Sequence, residues 1–259
     1  MPSAKAFYQK ASSTPKLIHK VSRGQRSVEI WKTTCIVTNF GKQSRANCTS
    51  LINPCNPGLT GVRNFPYFPR GGPVPDEKPS SMHKDWQPLG FVSQWGGMEV
   101  GEGMMFPVAV VDGLVHQHGG WKLRAECDAK RALSWHADPC PVGNAVMTTN
   151  ACEELLNHYD AIIHTAPPFF KYDEEPEEKL ASCYQSALEL FENSNPHERI
   201  ASPLLGAGCR GFDASLALKI AALASKAWLG RESVRSSNRT LCFGLLEESG
   251  AKSLSHLIT

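Results

Sequence analysis

The chain has 259 residues, of which 41% are hydrophobic and 20% are charged, and its 27 Lys and Arg against 25 Asp and Glu give a formal charge of +2. This balance argues against a nucleic-acid-binding protein, whose binding domain is usually clearly basic. Because no apolar run approaches the roughly 20 residues that cross a bilayer, and residues 1–20 lack the apolar core of a secretory signal, we expect no membrane association.

The nine cysteines indicate a reducing compartment. They are odd in number, spread along the whole chain and never arranged as C-x-x-C, which argues against a disulfide framework and against zinc knuckles. We therefore expect free thiols, no metal and no cofactor. The expected location is the cytoplasm, with the nucleus as the alternative.

The first part of the chain divides into three regions. Residues 1–26 are polar with little periodicity, which predicts a loose N-terminal arm or one peripheral helix; residues 27–259 are predicted to form a single domain. Short apolar runs predict strands at 28–30 and 50–52. Residues 60–107 are rich in Pro and Gly but also contain many aromatic residues, which favours an ordered insertion that folds onto the domain over a solvated linker.

Helices and strands alternate after the insertion. Helical spacing of apolar residues predicts helices at 114–119, 123–133, 178–193 and 213–229, and apolar runs predict strands at 145–149, 161–165 and 199–203, with a last apolar run at 240–247. Asp213 stands where a helix N-cap belongs. The alternation predicts an α/β fold, a three-layer α/β/α sandwich around a mixed central sheet.

A glycine-rich loop joins the predicted strand 199–203 to the predicted helix 213–229. It reads L-L-G-A-G-C-R-G-F over residues 204–212. In open α/β sheets, ligands bind beyond the carboxyl ends of strands, and glycines before a helix allow backbone N–H groups to approach an anion. The same glycines are explained equally well by a tight turn, so both interpretations stay open.

Six segments, taken in order, resemble the motifs of the macrodomain family of ADP-ribose-binding modules. They are S-L-I-N-P-C-N-P-G-L at 50–59, V-D-G-L-V-H at 111–116, C-P-V-G-N-A-V at 140–146, I-I-H-T-A-P-P at 162–168, the helix segment 183–188, and I-A-S-P with the glycine loop at 200–212. The resemblance extends over 28–247 apart from the insertion. It implies the macrodomain fold and an ADP-ribose pocket.

The resemblance also implies roles for individual residues. Asn56 would bind the distal ribose, and Asp112 would position and activate a water near the anomeric carbon, as in the hydrolytic branch of the family. The remaining implied ligand-binding residues are Asn53 and the glycine-loop residues Gly206, Ala207, Gly208, Cys209, Arg210, Gly211 and Phe212, which would hold the diphosphate. From the residues alone, Asp112 is equally a helix N-cap, and Asn56 a turn residue.

Three departures from the family pattern leave the function open. Cys35 stands where the family has an aspartate that accepts a hydrogen bond from the adenine amino group, and a thiol is a weak acceptor. Residues 107–110 replace a glycine run, and the insertion interrupts the chain before Asp112. The first hypothesis is a monomeric enzyme that hydrolyses mono-ADP-ribose from proteins. The alternatives are a non-catalytic ADP-ribose reader and a macrodomain-fold protein whose insertion remodels the pocket for another ligand.

Overall fold

The computed structural model describes residues 14–61, 111–134, 138–193, 198–208, 210–231 and 238–259. Most of the predicted insertion, from residue 62 onwards, and the first 13 residues of the predicted arm therefore lie outside the described residues. Within the described ranges, no helix is both long enough and apolar enough to cross a membrane.

Seven strands form one mixed sheet in the order β1-β2-β7-β6-β3-β5-β4. The outermost strands β1 and β4 run antiparallel to their neighbours, and the five strands between them are mutually parallel. The carboxyl ends of those five strands consequently share one edge of the sheet. The strands are β1 (Lys16–Arg23), β2 (Arg26–Lys32), β3 (Ser50–Pro54), β4 (Ala145–Thr148), β5 (Ala161–Thr165), β6 (Arg199–Ser202) and β7 (Arg239–Leu245).

Helices cover both faces of the sheet. On one face, a large apolar cluster that includes Tyr184, Trp228 and Phe243 packs under three helices; on the other face, a second cluster that includes Phe40 and Leu123 packs under two. The predicted three-layer sandwich with a mixed sheet is confirmed. The helices are α1 (Val111–Leu133), α2 (Glu153–Leu156), α3 (Pro176–Asn193), α4 (Ala214–Gly230) and α5 (Glu248–Ile258), of which α1 and α2 cover the second face.

The prediction of a loose N-terminal arm or a peripheral helix is wrong for residues 16–23, which form the strand β1. This strand pairs along its length with β2. It lies at the sheet edge and its residues are exposed or half-buried, so its sequence lacks the apolar alternation by which strands are recognised. Helix α5 was also not predicted, because the last apolar run was followed no further than residue 247.

The two helices predicted at 114–119 and 123–133 form one continuous segment, α1, with a kink between them. Gly120 has φ 58 and ψ −153, a conformation essentially restricted to glycine. The first half of α1 can therefore point its N-terminus at the carboxyl end of β3, while the second half packs on the sheet through Leu123 and Cys127.

Candidate functional site

A cleft of about 560 Å³ opens at the edge of the sheet where the parallel strands end. Its walls come from loops that follow four adjacent strands and from the first turn of α1, within residues 33–37, 54–56, 111–114, 203–210 and 244–247, with further residues of α4 and α5. The surface formed by the described residues is mainly apolar, and the charged side chains among them are those of Asp112, Arg210 and Glu247.

The strand order gives the cleft two ends. At the β3 end lie Asn56 and Asp112, at the β2 and β7 end lie Cys35 and Glu247, and the glycine loop after β6 lies between them. β3 and β2 are three strand positions apart in the sheet, and at about 4.8 Å per position the two ends of the cleft are about 14 Å apart. An elongated ligand with a polar group at each end and an anionic middle would match this arrangement.

Asp112 lies in the first turn of α1 and is only 3% exposed. Its Oδ1 accepts a hydrogen bond of 2.7 Å from Asn53 Nδ2 and lies 3.4 Å from His116 Nε2. The side chain therefore bonds across to β3 and does not cap its own helix. Burial raises the pKa of the Asp112 carboxyl above its usual value, and the hydrogen bond from Asn53 opposes that shift.

Asn53 does not line the cleft but lies fully buried behind Asp112. Its Nδ2 is also 3.1 Å from His164 Nδ1, and the opposite ring nitrogen, His164 Nε2, is 2.9 Å from Thr148 Oγ1. The side chains of β3, β5 and β4 thus form a continuous buried chain of hydrogen bonds that ends at the Asp112 carboxylate.

Asn56 lines the cleft, yet its side chain is occupied by the loop that contains it. Its Oδ1 accepts from the Thr60 backbone N–H at 3.0 Å, and its Nδ2 donates to Thr60 Oγ1 at 2.9 Å. This is the geometry of a turn residue, as one of the two sequence interpretations had it. The second hydrogen of Nδ2 is 3.5 Å by heavy atoms from the Gly61 carbonyl, so a ligand would compete most directly with this long contact.

The glycine loop is held in a tight turn by its own backbone. Phe212 N–H donates to the Gly206 carbonyl at 3.2 Å, and Gly211 N–H donates to the Gly208 carbonyl at 3.1 Å. Among the described residues, the N–H groups of Gly206, Ala207 and Gly208 have no acceptor, and all three residues line the cleft. Such unpaired N–H groups next to the N-terminus of α4 suit an anion.

The other predicted glycine-loop residues are placed differently. Arg210 lines the cleft but is only 7% exposed; it donates to the Cys55 carbonyl at 2.8 Å, and its guanidinium lies 4.3 Å from the centre of the Phe169 ring. Phe212 is buried against Phe170 outside the cleft lining, and Gly211 is also absent from that lining. Cys209 lies outside the described residues.

The far end of the cleft contains residues that were not predicted. Leu246 and Glu247 follow β7, and both are exposed in the cleft wall opposite Cys35. Glu247 holds the N-cap position of α5, yet its side chain makes no capping bond, and it has no ion-pair partner among the described residues. The carboxyl-end rule would have found this loop if residues 240–247 had been recognised as a strand followed by a turn.

Gly61 and Val111, the described residues on either side of 62–110, both lie near this site. Gly61 lies against the His116 ring, Arg124 donates to the Leu59 carbonyl at 3.2 Å, and Val111 lines the cleft. Val111 therefore lies in the cleft beside Asp112, and Gly61 lies near it, next to the His116 ring whose Nε2 is 3.4 Å from Asp112 Oδ1.

Comparison with known proteins gives a consistent relationship. The family model described as "Macro domain" matches residues 104–221. A macro domain-containing protein of Listeria monocytogenes is 34% identical over 149 residues, which are 57% of this chain and 80% of that protein. The mouse ADP-ribose glycohydrolase MACROD2 is 32% identical over 123 residues, which are 47% of this chain and 23% of that protein.

Solved structures show the same fold at lower sequence identity. The Oceanobacillus iheyensis macrodomain with ADP superposes with a TM-score of 0.63 at 19% identity, covering 95% of this chain and 96% of that one. The Trypanosoma brucei macrodomain in complex with ADP gives a TM-score of 0.55 at 18% identity, covering 90% of this chain and 69% of that one.

Proposed function

This chain belongs to the macro domain family, and we propose that it binds ADP-ribose in the cleft and hydrolyses mono-ADP-ribose from modified proteins. The observation that carries the proposal is the pairing of a buried carboxylate, Asp112, with a glycine loop whose N–H groups lack acceptors, both in one cleft. That cleft would hold the distal ribose at the β3 end, the diphosphate at the glycine loop and the base at the β7 end.

The glycine loop supplies the diphosphate contacts. Gly206, Ala207 and Gly208 offer backbone donors, and the N-terminus of α4 adds partial positive charge without a mobile side chain. Arg210 adds a buried positive charge in the same wall, held in place by Cys55 and Phe169. Because these donors are already fixed, binding would require little reorganisation.

Asp112 supplies the chemistry at the β3 end. A water oriented by its carboxylate would attack the anomeric carbon of the distal ribose, forming a new C–O bond while the bond to the protein's carboxylate side chain breaks. That side chain leaves as a carboxylate, and the proton of the water passes to Asp112 and then to solvent. Since the pKa of Asp112 is raised by burial, its basicity is better matched to this transfer near neutral pH.

A non-catalytic reader is the second candidate. The observation that favours it is Asn56, whose amide is hydrogen-bonded to Thr60 within its own loop, so that only part of its hydrogen-bonding capacity remains for a ribose. The replacement of the family aspartate by Cys35 points the same way, because it weakens one base contact without affecting the diphosphate loop.

Two measurements test the proposal. Isothermal titration with ADP-ribose is expected to give a micromolar dissociation constant, and incubation with a protein mono-ADP-ribosylated on glutamate is expected to release ADP-ribose. Binding without release would support the reader. If neither heat nor a thermal shift is detected at millimolar ADP-ribose, both candidates are wrong, and another ligand must be sought.

The base end yields a prediction about Glu247. Cys35 is a poor acceptor for an exocyclic amine, and Glu247 is the carboxylate at this end of the cleft that has no other partner among the described residues. We expect the protein to bind ADP-ribose at least about tenfold more tightly than inosine diphosphate ribose, in which a carbonyl replaces the amine, since a hydrogen bond to a charged group contributes about 1.5–3 kcal/mol.

Glu247→Gln should reduce this preference to about twofold, because an amide both donates and accepts. Glu248→Gln is the matched control, since Glu248 pairs with Lys252 and does not line the cleft. Isothermal titration of each variant with both nucleotides measures the ratio. A preference that is unchanged in Glu247→Gln would show that another group reads the base.

A further inference from the structure

We infer that His164 is a positioning residue that orients the Asp112 carboxylate. It acts through the Asn53 amide, and the hydroxyl of Thr148 holds the other side of the His164 ring. This inference rests on the proposed function only in assigning Asp112 a catalytic role. His164 is the fourth of the five residues of β5, is fully buried and is not among the residues that line the cleft. It would therefore act indirectly, through Asn53 and Asp112, without touching the substrate.

An ionised Asp112 carboxylate only accepts hydrogen bonds, and this fixes the arrangement of protons along the chain. Asn53 Nδ2 donates to Asp112 Oδ1 at 2.7 Å, so its second hydrogen is available to His164 Nδ1 at 3.1 Å. His164 Nδ1 must then be the bare nitrogen of a neutral ring. The proton of the ring is on Nε2, which donates to Thr148 Oγ1 at 2.9 Å.

The orientation of the Asn53 amide is the feature that needs this chain. Its Oδ1 is buried without a hydrogen-bond partner among the described residues, which costs free energy, so the oxygen does not determine how the amide is turned. Rotation by 180° would place Oδ1 against the Asp112 carboxylate, opposing two acceptors. A ring with its proton on Nδ1 would favour that rotation, since it would donate to Oδ1, whereas a ring with its proton on Nε2 accepts from Asn53 Nδ2 and donates to Thr148 Oγ1.

The surrounding charges keep His164 neutral. Burial lowers the pKa of His164 to about 3, and the nearby His116 and Lys130 act in the same direction, against the opposing influence of Asp112. Around the carboxylate itself, Arg124 and Arg210 favour ionisation. The neutral ring thus persists at neutral and mildly acidic pH, and the chain acts there as a fixed scaffold, not a pH switch.

Thr148 offers a test that leaves Asp112, Asn53 and His164 in place. Thr148→Val removes the acceptor for His164 Nε2 at nearly constant volume, and Thr148→Ser is the matched control that keeps the hydroxyl. Long-range proton–nitrogen NMR of the histidine rings is expected to show the Nε2-protonated form of His164 in the wild type and in Thr148→Ser, and a mixture of both neutral forms in Thr148→Val. Carboxyl carbon NMR should show a higher pKa for Asp112 in Thr148→Val.

Kinetics gives a second, independent readout. Thr148→Val is expected to lower kcat about tenfold, since small displacements of a catalytic group have large effects on rate, while the dissociation constant of ADP-ribose stays within twofold and Thr148→Ser retains wild-type kcat. If the protein does not hydrolyse its substrate at all, the catalytic proposal fails, and the two NMR measurements still decide the positioning role.

Two results would overturn the inference. One is a wild-type His164 ring protonated on Nδ1, which also decides the question if Thr148→Val does not fold. The other is a folded Thr148→Val protein in which the ring form of His164 and the pKa of Asp112 both match the wild type.

Discussion

Asp112→Asn is expected to abolish hydrolysis of mono-ADP-ribose, to leave ADP-ribose binding within a few-fold and to make the protein more stable at neutral pH. The loss of a general base or orienting carboxylate usually lowers the rate by about 10²–10⁴. The amide can still accept the hydrogen bond from Asn53 Nδ2 through its oxygen, so the site should keep its shape.

The gain in stability follows from the direction of the pKa shift. Burial raises the pKa of Asp112 in the folded protein above its unfolded value, so the ionised carboxylate disfavours the folded state at every pH above the folded pKa. This penalty decreases as the pH falls through the folded pKa and is gone below the unfolded pKa. Asn carries no such penalty, so the variant should melt higher than the wild type at pH 7, and the difference should shrink on acidification.

Product release, isothermal titration and thermal melts at several pH values check these three expectations. Asp128→Asn is the matched control on the same helix, because Asp128 pairs with Arg131 at a partly exposed position away from the cleft. Wild-type turnover in Asp112→Asn would remove the catalytic role of this carboxylate. A lower melting temperature at pH 7 would show that Asp112 stabilises the fold instead.

Substitution by valine should affect the stability of the fold at one position of the glycine loop and ligand binding at another. Gly206→Val is expected to destabilise the fold, because Gly206 has φ +85 and an added Cβ would lie 2.8 Å from Leu180 Cδ2 and 3.0 Å from Phe212 Cδ2. Backbone strain of this kind costs about 1–3 kcal/mol, and overpacking adds about 1–3 kcal/mol.

Gly208→Val should leave the free energy of unfolding within about 0.5 kcal/mol but weaken ADP-ribose binding by at least about tenfold, or about 1.4 kcal/mol. A Cβ at Gly208 meets no atom within 4 Å, and the residue lines the cleft at the point assigned to the diphosphate. Urea unfolding and titration with ADP-ribose separate the two effects. Unimpaired binding in a folded Gly208→Val protein would place the diphosphate elsewhere.

Much of the fold could be predicted from the sequence because its signals are local. The helix spacing in 178–193, the apolar runs at 161–165 and 199–203 and the cap at Asp213 each act within a few residues, and the structure contains the corresponding elements. The glycine loop was likewise found from its position between a strand and a helix. These signals also placed the cleft at the correct edge of the sheet.

The contacts that complete the site are not local, and the sequence did not reveal them. Asn53 is hydrogen-bonded to Asp112, 59 residues away in the chain, and to His164, 111 residues away. No spacing rule brings residues together over such separations. Arg210 was predicted as a diphosphate ligand and does line the cleft, but its burial against Phe169 could not be predicted from the sequence. Edge strand β1 was missed for the opposite reason, because its exposed faces impose little pattern on its residues.

The position of β7 has a consequence for when the protein can work. β7 is the last of the described strands in the chain, yet it lies between β2 and β6 near the middle of the sheet. A nascent or truncated chain that ends before residue 239 would lack the strand that joins the two halves of the cleft. The loops from 33–37 and 203–210 could then not face a common ligand. Binding competence should therefore arise in one step, once residues 239–245 have been synthesised and paired, and ligand should protect the whole sheet from unfolding together.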